Sequence, residues 1–272
     1  MNEKIIVFTD LDGTLLDHNT YSYNEAEEAL KLLKEKKVPL ILCSSKTKDE
    51  IEVYREKLSI NEPFISENGG AIFIPEQYKG LKCEFDKVYN DYLVIEIGSE
   101  YKTLVDAFKQ IKRNTGVNIK GIAELTVDEV VELTGLSEEE APLAQKRKYT
   151  LPFIINGRDE DVKNIKNEIR SLSLNYTEGA RFVHLMGVND KGKAVKILGD
   201  IFKKNYPETR IITVGLGDSL NDLPMLEAVD KAFLVMKESG NYEKRIKVEN
   251  LVYADGIGPV GWNKAILSLF NE

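Results

Sequence analysis

Uninterrupted apolar runs alternate with amphipathic stretches in the first part of this chain and again near its end. The runs Ile5–Phe8, Pro39–Cys43 and Ile211–Leu216 lack polar alternation, which predicts central strands of a parallel sheet buried on both faces. Ser22 and Glu25, between the first two runs, have the spacing of a capping box and predict a helix there. This rhythm of strand and helix predicts an α/β fold with a Rossmann-like parallel sheet.

The pattern changes after residue 84 and returns to the first rhythm after residue 180. Thr126 and Ser137 each stand three residues before a glutamate, which predicts two short helices in this middle part. We expect a catalytic core formed by residues 1–84 and 181–272, and an inserted α+β cap formed by residues 85–180. A chain of 272 residues with 42% hydrophobic content is long enough to bury two modest cores.

The composition indicates which kinds of binding partner to exclude and which cellular compartment to expect. A net charge of −8 argues against nucleic-acid binding, because contact with phosphate backbones generally requires a basic face. The sequence has no apolar run of the roughly eighteen residues that a membrane helix needs, and its two cysteines lie near no cysteine or histidine cluster. We therefore expect no membrane partner, no nucleic-acid partner, reduced thiols and a cytoplasmic location. The oligomeric state is not determined by these patterns.

Two aspartates follow the first apolar run, at the sheet edge where open α/β proteins bind ligands. Asp10 can attack a phosphate monoester as a nucleophile, and Asp12 can protonate the leaving alkoxide and later deprotonate water. Gly13 permits a tight turn whose backbone N–H groups face a phosphate, and the hydroxyl of Thr14 adds a donor. The alternative is a calcium loop, which fits poorly because Thr14 and Tyr21 stand where that loop has acidic or amide residues.

A second acidic turn, of sequence G-D-S-L-N-D, follows the apolar run near the end of the chain. Mg²⁺ takes about six oxygen ligands but only one or two protein carboxylates, which Asp10 and Asp218 supply. We expect Asp12 to add its backbone carbonyl, and Asn221 or Asp222 to hold metal-bound water or to orient a catalytic lysine. The sequence therefore predicts Mg²⁺ as cofactor. The competing interpretation is a plain Asx turn followed by a helix cap.

Two further segments offer groups that bind phosphate. Ser44 would bind a phosphate oxygen, Ser45 would contribute its backbone N–H, and Lys46 would reach toward the substrate. Lys191 begins another predicted helix and would neutralise the phosphate and the attacking aspartate. Taken alone, the two serines also suit an ordinary helix cap, and Lys191 also suits a solvated surface position.

These four segments, in this order along the chain, resemble the motifs of the haloacid dehalogenase superfamily of phosphatases. The resemblance implies that Asp10 is the nucleophile and Asp12 the general acid/base, and that Lys191 lies in the phosphate site. It implies that Asp10, Asp12 and Asp218 surround Mg²⁺. It also implies the fold of that superfamily, with an inserted cap of the C2B type.

Four shorter segments carry a second, narrower resemblance: Ser44–Thr47, Glu67–Ile72, Arg181–His184 and Asp190–Ala194. Together they resemble the mannosyl-3-phosphoglycerate phosphatase family over almost the whole chain. That resemblance implies a small anionic phosphorylated substrate, 2-O-mannosyl-3-phosphoglycerate, which is hydrolysed to the compatible solute mannosylglycerate and phosphate. Lys46 and Arg181 are the expected partners of its carboxylate or glyceryl group. One departure is Leu151-Pro152-Phe153, where we expect an acidic residue before the phenylalanine.

Other functions stay open on the sequence alone. A glucosyl-3-phosphoglycerate or another sugar phosphate could replace the mannosyl substrate. A sugar-phosphate mutase also forms a phospho-aspartate, and a non-catalytic sensor would bind phosphate without turnover. The presence of Asp12 favours catalysis over the sensor, because binding alone requires no general acid/base.

Overall fold

The computed structural model describes residues 2–179 and 181–270 as alternating strands and helices. The strands are β1 (Asn2–Thr9), β2 (Leu40–Leu42), β3 (Phe64–Ser66), β4 (Ala71–Pro75), β5 (Lys87–Tyr89), β6 (Tyr92–Glu96), β7 (Asn118–Gly121), β8 (Thr150–Asn156), β9 (Asn175–Glu178), β10 (Val183–Met186), β11 (Thr209–Gly217), β12 (Lys231–Met236) and β13 (Leu251–Ile257). The helices are α1 (Glu27–Glu35), α2 (Lys48–Leu58), α3 (Tyr101–Thr115), α4 (Val127–Thr134), α5 (Ala141–Ala144), α6 (Asp159–Ser171), α7 (Lys191–Asn205), α8 (Leu223–Ala228) and α9 (Gly258–Ser268). Within these described residues, no helix has both the length and the apolar character needed to cross a membrane.

A five-stranded parallel sheet forms the centre of the core, in the order β13–β12–β11–β1–β2. Successive residues of β1 face opposite sides, so that Val7 packs with Trp262 of α9 while Phe8 packs with Leu198 of α7. Because helices cover both faces of the sheet, β1 carries an apolar run without polar alternation. The register of β1 on β11 sets Thr9 beside Leu216.

An antiparallel sheet, in the order β3–β4–β6–β5, extends this core. Ile65 of β3 forms a parallel bridge to Cys43, the residue after β2. Ile72 and Ile74 of β4 belong to the same hydrophobic cluster as Leu198 of α7. The sheet therefore packs as part of the catalytic core.

A separate antiparallel sheet, in the order β7–β8–β10–β9, forms the cap. Phe108 of α3, Phe153 of β8 and Ile165 of α6 share a hydrophobic cluster that is distinct from those around the parallel sheet. The cap therefore has its own small core, made by two helices against one sheet face. The predicted fold class, a parallel-sheet α/β core with an α+β cap, is confirmed.

Strand pairing divides the chain at different points from the predicted limits at residues 85 and 180. β5 and β6 follow residue 84 but pair within the core sheet, whereas β10 follows residue 180 but pairs with β8 and β9 of the cap. Two connections join the core to the cap, one at Ser99 and one at Gly187, and they run side by side. A Cβ built on Gly187 would lie only 2.4 Å from Oγ of Ser99. Sequence periodicity reports local burial, and it does not identify which distant strand will be the partner.

Candidate active site

The carboxyl ends of β1 and β11 bring Asp10 and Asp218 to the same edge of the parallel sheet. Each aspartate directly follows its strand, and the N–H of Asp10 donates to the carbonyl of Leu216 at 3.0 Å. Their exposed fractions are only 5% and 6%. Two aspartates from opposite ends of the chain therefore share one buried site.

The ammonium group of Lys191 lies at the centre of this site. Lys191 is the first residue of α7, whose N-terminus is capped where Oδ1 of Asp190 accepts the N–H of Lys193 at 2.7 Å. Nζ of Lys191 lies 2.6 Å from Oδ1 of Asp10 and 2.6 Å from Oδ1 of Asp222. Burial lowers the pKa of Lys191, but the charges of Asp10 and Asp222 outweigh it and hold that pKa above its ordinary value. Lys191 therefore stays positively charged.

Each carboxylate oxygen of Asp218 accepts a hydroxyl. Oγ1 of Thr14 donates to Oδ1 at 3.1 Å, and Oγ of Ser219 donates to Oδ2 at 2.6 Å. Burial and the neighbouring charge of Asp222 raise the pKa of Asp218 to about 7, against the lowering effect of these hydroxyls. The sequence predicts a phosphate contact for Thr14, whereas in the structure its hydroxyl donates to Asp218 and orients that carboxylate.

Asp10, Asp218 and Asp222 are all buried and offer carboxylate oxygens within 4.8 Å of one another. Burial and the charge of Asp222 raise the pKa of Asp10 well above its ordinary value, although Lys191 lowers it. Three buried carboxylates share this cluster with one ammonium group, which pairs with only two of them, Asp10 and Asp222. Full ionisation of the three would leave negative charge uncompensated, and burial together with this repulsion is why the pKa values of Asp10 and Asp218 are raised. Hard oxygen ligands and uncompensated negative charge together suit a divalent cation such as Mg²⁺.

The predicted carboxylate ligands, Asp10 and Asp218, both lie in this acidic cluster, and Asp222 joins them. Among the residues that the structure describes, the cluster leaves out the carboxylate of Asp12, for which we predict a role as a backbone-carbonyl ligand. Oδ2 of Asp222 accepts the N–H groups of Asp218 and Ser219, each at 3.1 Å, while its Oδ1 accepts Lys191. Because both oxygens are engaged, Asp222 holds the acidic turn and Lys191 in place. Asp222 is thus in contact with Lys191, the lysine that we expect it or Asn221 to orient.

The side chain of Asp12 lies beside Lys46. Nζ of Lys46 is 3.0 Å from Oδ1 of Asp12 and 3.8 Å from Oε1 of Glu50, and it lies over the rings of Tyr21 and Tyr54. Burial lowers the pKa of Lys46, but Asp12 and Glu50 outweigh it and keep that pKa above its ordinary value. The Asp12 side chain is 30% exposed, so it is held by an ammonium group yet remains open to the cleft.

Gly13 contributes space to the site and not its own N–H. That N–H donates to the carbonyl of Leu16 at 2.9 Å. The sequence predicts a free donor for phosphate here, but in the structure this N–H is already paired. Its φ of +80° is a left-handed conformation, and a Cβ there would lie 3.2 Å from Oδ2 of Asp218. The glycine thus allows the turn after β1 to approach Asp218 closely.

Ser44 and Ser45 lie at the end of β2, next to the N-terminus of α2. Oγ of the buried Ser44 accepts the N–H of Lys46 at 3.2 Å, and the carbonyl of Ser45 accepts Nη1 of Arg147 at 2.6 Å. Ser45 and Lys46 line the cleft above the acidic cluster. Oγ of Ser44 therefore already accepts one hydrogen bond from within its own loop.

Arg181 and Asn221 also contact other parts of the chain. Nη1 of Arg181 donates to the hydroxyl of Tyr21 at 3.0 Å, and Nη2 donates to the carbonyl of His18 at 3.4 Å. Nδ2 of Asn221 donates to Oδ1 of Asn68 at 3.2 Å. Both predicted residues line the cleft, Arg181 joining the cap side to the loop after β1.

The cleft over this site has a volume of about 110 Å³. Its lining includes Asp10, Asp12, Lys46, Arg147, Arg181 and His184. The site thus holds acidic groups at the end of β1 and three cationic side chains around them. This arrangement suits a substrate that carries more than one negative charge.

Sequence reasoning missed Arg147 as a site residue. The Arg147 side chain is 6% exposed, and besides Ser45 it donates from Nε to the carbonyl of Ala144 at 2.7 Å. Its Nη2 lies 3.5 Å from Oε2 of Glu50. No motif marks it, because the segment around it, Gln145–Lys148, contains three consecutive basic residues that suit a solvated surface.

Glu67 belongs to the segment Glu67–Ile72 of the narrower resemblance, and the sequence assigns it no contact of its own. Its buried carboxylate accepts the backbone N–H groups of Lys148, Tyr149 and Thr150, together with the hydroxyl of Thr150, at distances between 2.8 and 3.0 Å. Glu67 precedes β4 of the core, whereas Thr150 begins β8 of the cap. One core carboxylate therefore fixes the base of the cap.

The comparisons place this architecture among known proteins. The chain belongs to the haloacid dehalogenase-like hydrolase family, whose model matches residues 7–242. It is 46% identical over 269 residues to glucosyl-3-phosphoglycerate/mannosyl-3-phosphoglycerate phosphatase of Methanococcoides burtonii, covering 99% of this chain and 98% of that relative. It is 41% identical to the protein of the same name from Persephonella marina, with 98% of each chain covered.

A solved structure of much lower sequence identity has a similar fold. A HAD subclass IIB sugar phosphatase matches with a TM-score of 0.64 and 17% identity, covering 98% of each chain. This likeness concerns the fold of the core together with its cap. The predicted superfamily and the predicted type of cap are confirmed.

Proposed function

We propose that this protein is a Mg²⁺-dependent phosphatase that hydrolyses glucosyl- and mannosyl-3-phosphoglycerate through an aspartyl-phosphate on Asp10. The observation that carries the proposal is the convergence of Asp10, Asp218 and Lys191 at the ends of two neighbouring strands, beneath a cleft. Relatives that match almost the whole chain are named for both glycosyl substrates, and this supports the choice of substrate class.

The charges around the cleft support the same class of substrate. A glycosyl-3-phosphoglycerate has a phosphate, a carboxylate and a neutral sugar. Lys191 is in contact with the nucleophile, whereas Lys46 and Arg147 line the cleft nearer the cap. We propose that Lys191 neutralises the phosphate, with Ser44 and Ser45 beside it, and that Lys46 and Arg181 are partners of the carboxylate or glyceryl group.

Asp10 and Asp218 are the carboxylates proposed to hold Mg²⁺, together with the backbone carbonyl of Asp12. The fit rests on the excess of buried carboxylates over ammonium groups in this cluster. When bound, the cation screens the repulsion between Asp10 and the phosphate oxygens and stabilises charge that develops on the transferring group. Asp222 supports Lys191 and the turn that carries Asp218.

The residues suit a two-step hydrolysis. An oxygen of Asp10 attacks phosphorus, the bond from phosphorus to the glyceryl oxygen breaks, and Asp12 gives its proton to that oxygen. Water then attacks phosphorus, Asp12 takes the proton from that water, and inorganic phosphate leaves Asp10. Lys46, 3.0 Å from Asp12, holds this carboxylate near both proton transfers.

We also propose that the cap comprises about residues 98–187 and moves relative to the core. The cleft of about 110 Å³ is smaller than the roughly 300–1,000 Å³ typical of ligand sites, so substrate entry requires the cap to open. The adjacent connections near Ser99 and Gly187 are the positions where such a motion would be absorbed.

Replacement of Asp12 tests the proposed chemistry. We expect Asp12→Asn to lower kcat for the glycosyl substrates roughly 10²–10⁴-fold while Mg²⁺ and phosphate still bind. With an aryl phosphate, whose leaving group needs no protonation, the variant should accumulate phosphorylated Asp10, detected by mass spectrometry. A wild-type rate in Asp12→Asn would refute this role. Steady phosphate release without added bisphosphate distinguishes hydrolysis from a mutase reaction.

A further inference from the structure

One polar side chain in the cleft has no partner for its polar atoms. His184 is 5% exposed and lines the cleft, yet neither ring nitrogen forms a hydrogen bond with any of the described residues, 2–179 and 181–270. Buried polar atoms are nearly always paired, since an unpaired one costs about 1–3 kcal/mol. A site that leaves an imidazole unpaired in a substrate cleft is therefore prepared for a hydrogen bond from a ligand.

The main chain at Gly179 passes close to one edge of this ring. A Cβ built on Gly179 would lie 3.3 Å from Nε2 and 3.6 Å from Cδ2 of His184. Gly179 lines the same cleft, and its N–H donates to the carbonyl of Phe182 at 2.9 Å. Gly179, the first residue after β9, thus lies close to the imidazole and adds no side chain there.

The electrostatic surroundings keep the ring neutral. Burial, followed by the charges of Arg147 and Lys191, lowers the pKa of His184 to about 3. A neutral imidazole has one donor and one acceptor nitrogen, which matches a hydroxyl group because a hydroxyl can accept and donate. A carboxylate or phosphate could use only the donor nitrogen, and the cationic side chains of the cleft bind such anions more strongly.

We propose that His184 is a specificity-determining residue that binds a hydroxyl of the sugar, with Gly179 providing the space for that hydroxyl. This inference rests on the proposed function, because it assigns a binding residue to the neutral sugar of the glycosyl-3-phosphoglycerate. The charged groups of the cleft bind the phosphate and carboxylate, and His184 distinguishes a glycosylated ester from the bare 3-phosphoglycerate.

The test compares kcat/KM for glucosyl- and mannosyl-3-phosphoglycerate with kcat/KM for 3-phosphoglycerate in the full-length protein with Mg²⁺. In His184→Leu, which keeps side-chain bulk, the ratio of glycosyl ester to 3-phosphoglycerate should fall roughly tenfold or more, mainly through KM. His184→Asn, which restores a polar group, should recover part of the ratio. Gly179→Ala, which leaves the imidazole intact, should also lower it.

Met186→Leu is the matched control, because Met186 is a buried residue of the same strand outside the cleft lining. It should leave the ratio unchanged, and thermal unfolding of all variants monitors the fold. Equal losses for both kinds of substrate in His184→Leu, or an unchanged ratio in Gly179→Ala, would overturn the inference. A wild-type protein inactive on both glycosyl esters would instead defeat the proposed function.

Discussion

Nζ of Lys191 lies 2.6 Å from Oδ1 of Asp10, although the two residues are 181 positions apart along the chain. Lys191 is fully buried, and the same nitrogen is 2.6 Å from Oδ1 of Asp222. A single ammonium group therefore restrains Asp10, the proposed nucleophile, and Asp222, which supports Asp218. If this group is removed, two buried carboxylates lose their shared cation.

We expect Lys191→Met to destabilise the metal-free protein by about 3–5 kcal/mol, the usual cost of breaking a buried ion pair from one side. Loss of this charge should also lower kcat about 10²–10³-fold. Urea unfolding and a phosphate-release assay measure the two effects. Lys193→Met on the same helix is the control: its side chain is 50% exposed, and stability should change by less than about 0.5 kcal/mol. Equal effects of the two substitutions would contradict the central position of Lys191.

We expect Gly13→Ala to weaken Mg²⁺ binding, because the new Cβ would lie 3.2 Å from Oδ2 of Asp218. The left-handed φ should also cost about 1–2 kcal/mol of stability. Gly116→Ala is the matched control, since Gly116 has a φ of +65° with nothing within 4 Å of its built Cβ. It should lose similar stability and keep Mg²⁺ affinity, as isothermal titration calorimetry would record. Normal Mg²⁺ binding by Gly13→Ala would argue against the close approach.

Glu67→Gln should loosen the base of the cap. An amide cannot accept at both oxygen positions, so at least one of the N–H groups of residues 148–150 loses its acceptor. We expect a loss of about 2–3 kcal/mol in the free energy of unfolding and faster proteolysis near Gly98 and Gly187. Glu76→Gln, at an exposed position after β4, should behave as wild type. Unaltered stability and cleavage in Glu67→Gln would show that the contact does not hold the cap.

Mg²⁺ affinity should fall as the pH falls below about 7. The pKa of Asp218 is raised to about 7, so below that pH the cation must displace a proton to bind. This group alone gives about a tenfold weaker affinity per pH unit. In the metal-free protein the folded state holds this proton more tightly than the unfolded chain, so stability declines as pH rises from about 4 to 7.

Calorimetric titration between about pH 5.5 and 8 measures this dependence on Mg²⁺ affinity. Asp218→Asn removes the titrating group, so its residual affinity should be weak and should vary less steeply with pH. A Mg²⁺ affinity that is constant across the range in the wild-type protein would contradict the raised pKa of Asp218.

Local patterns in the sequence were sufficient for the fold class and for the position of the acidic turns. The apolar runs before Asp10 and Asp218 form adjacent parallel strands, because a strand buried on both faces leaves a distinct signature in residue order. The capping box of Thr126 and Glu129 begins α4 as its spacing predicts. Carboxylates at strand ends are likewise visible in the sequence, since position in a strand–turn–helix unit is a local property.

The sequence by itself determined which groups are available for chemistry: the aspartates at two strand ends, a lysine at a helix start and serines after β2. Only the tertiary structure decided which of them meet. Folding placed Asp222 in the acidic cluster, directed Thr14 to Asp218, set Lys46 beside Asp12 and left His184 unpaired in the cleft. These contacts depend on packing between segments far apart in the chain, and burial then determines their charge, so neither follows from residue order alone.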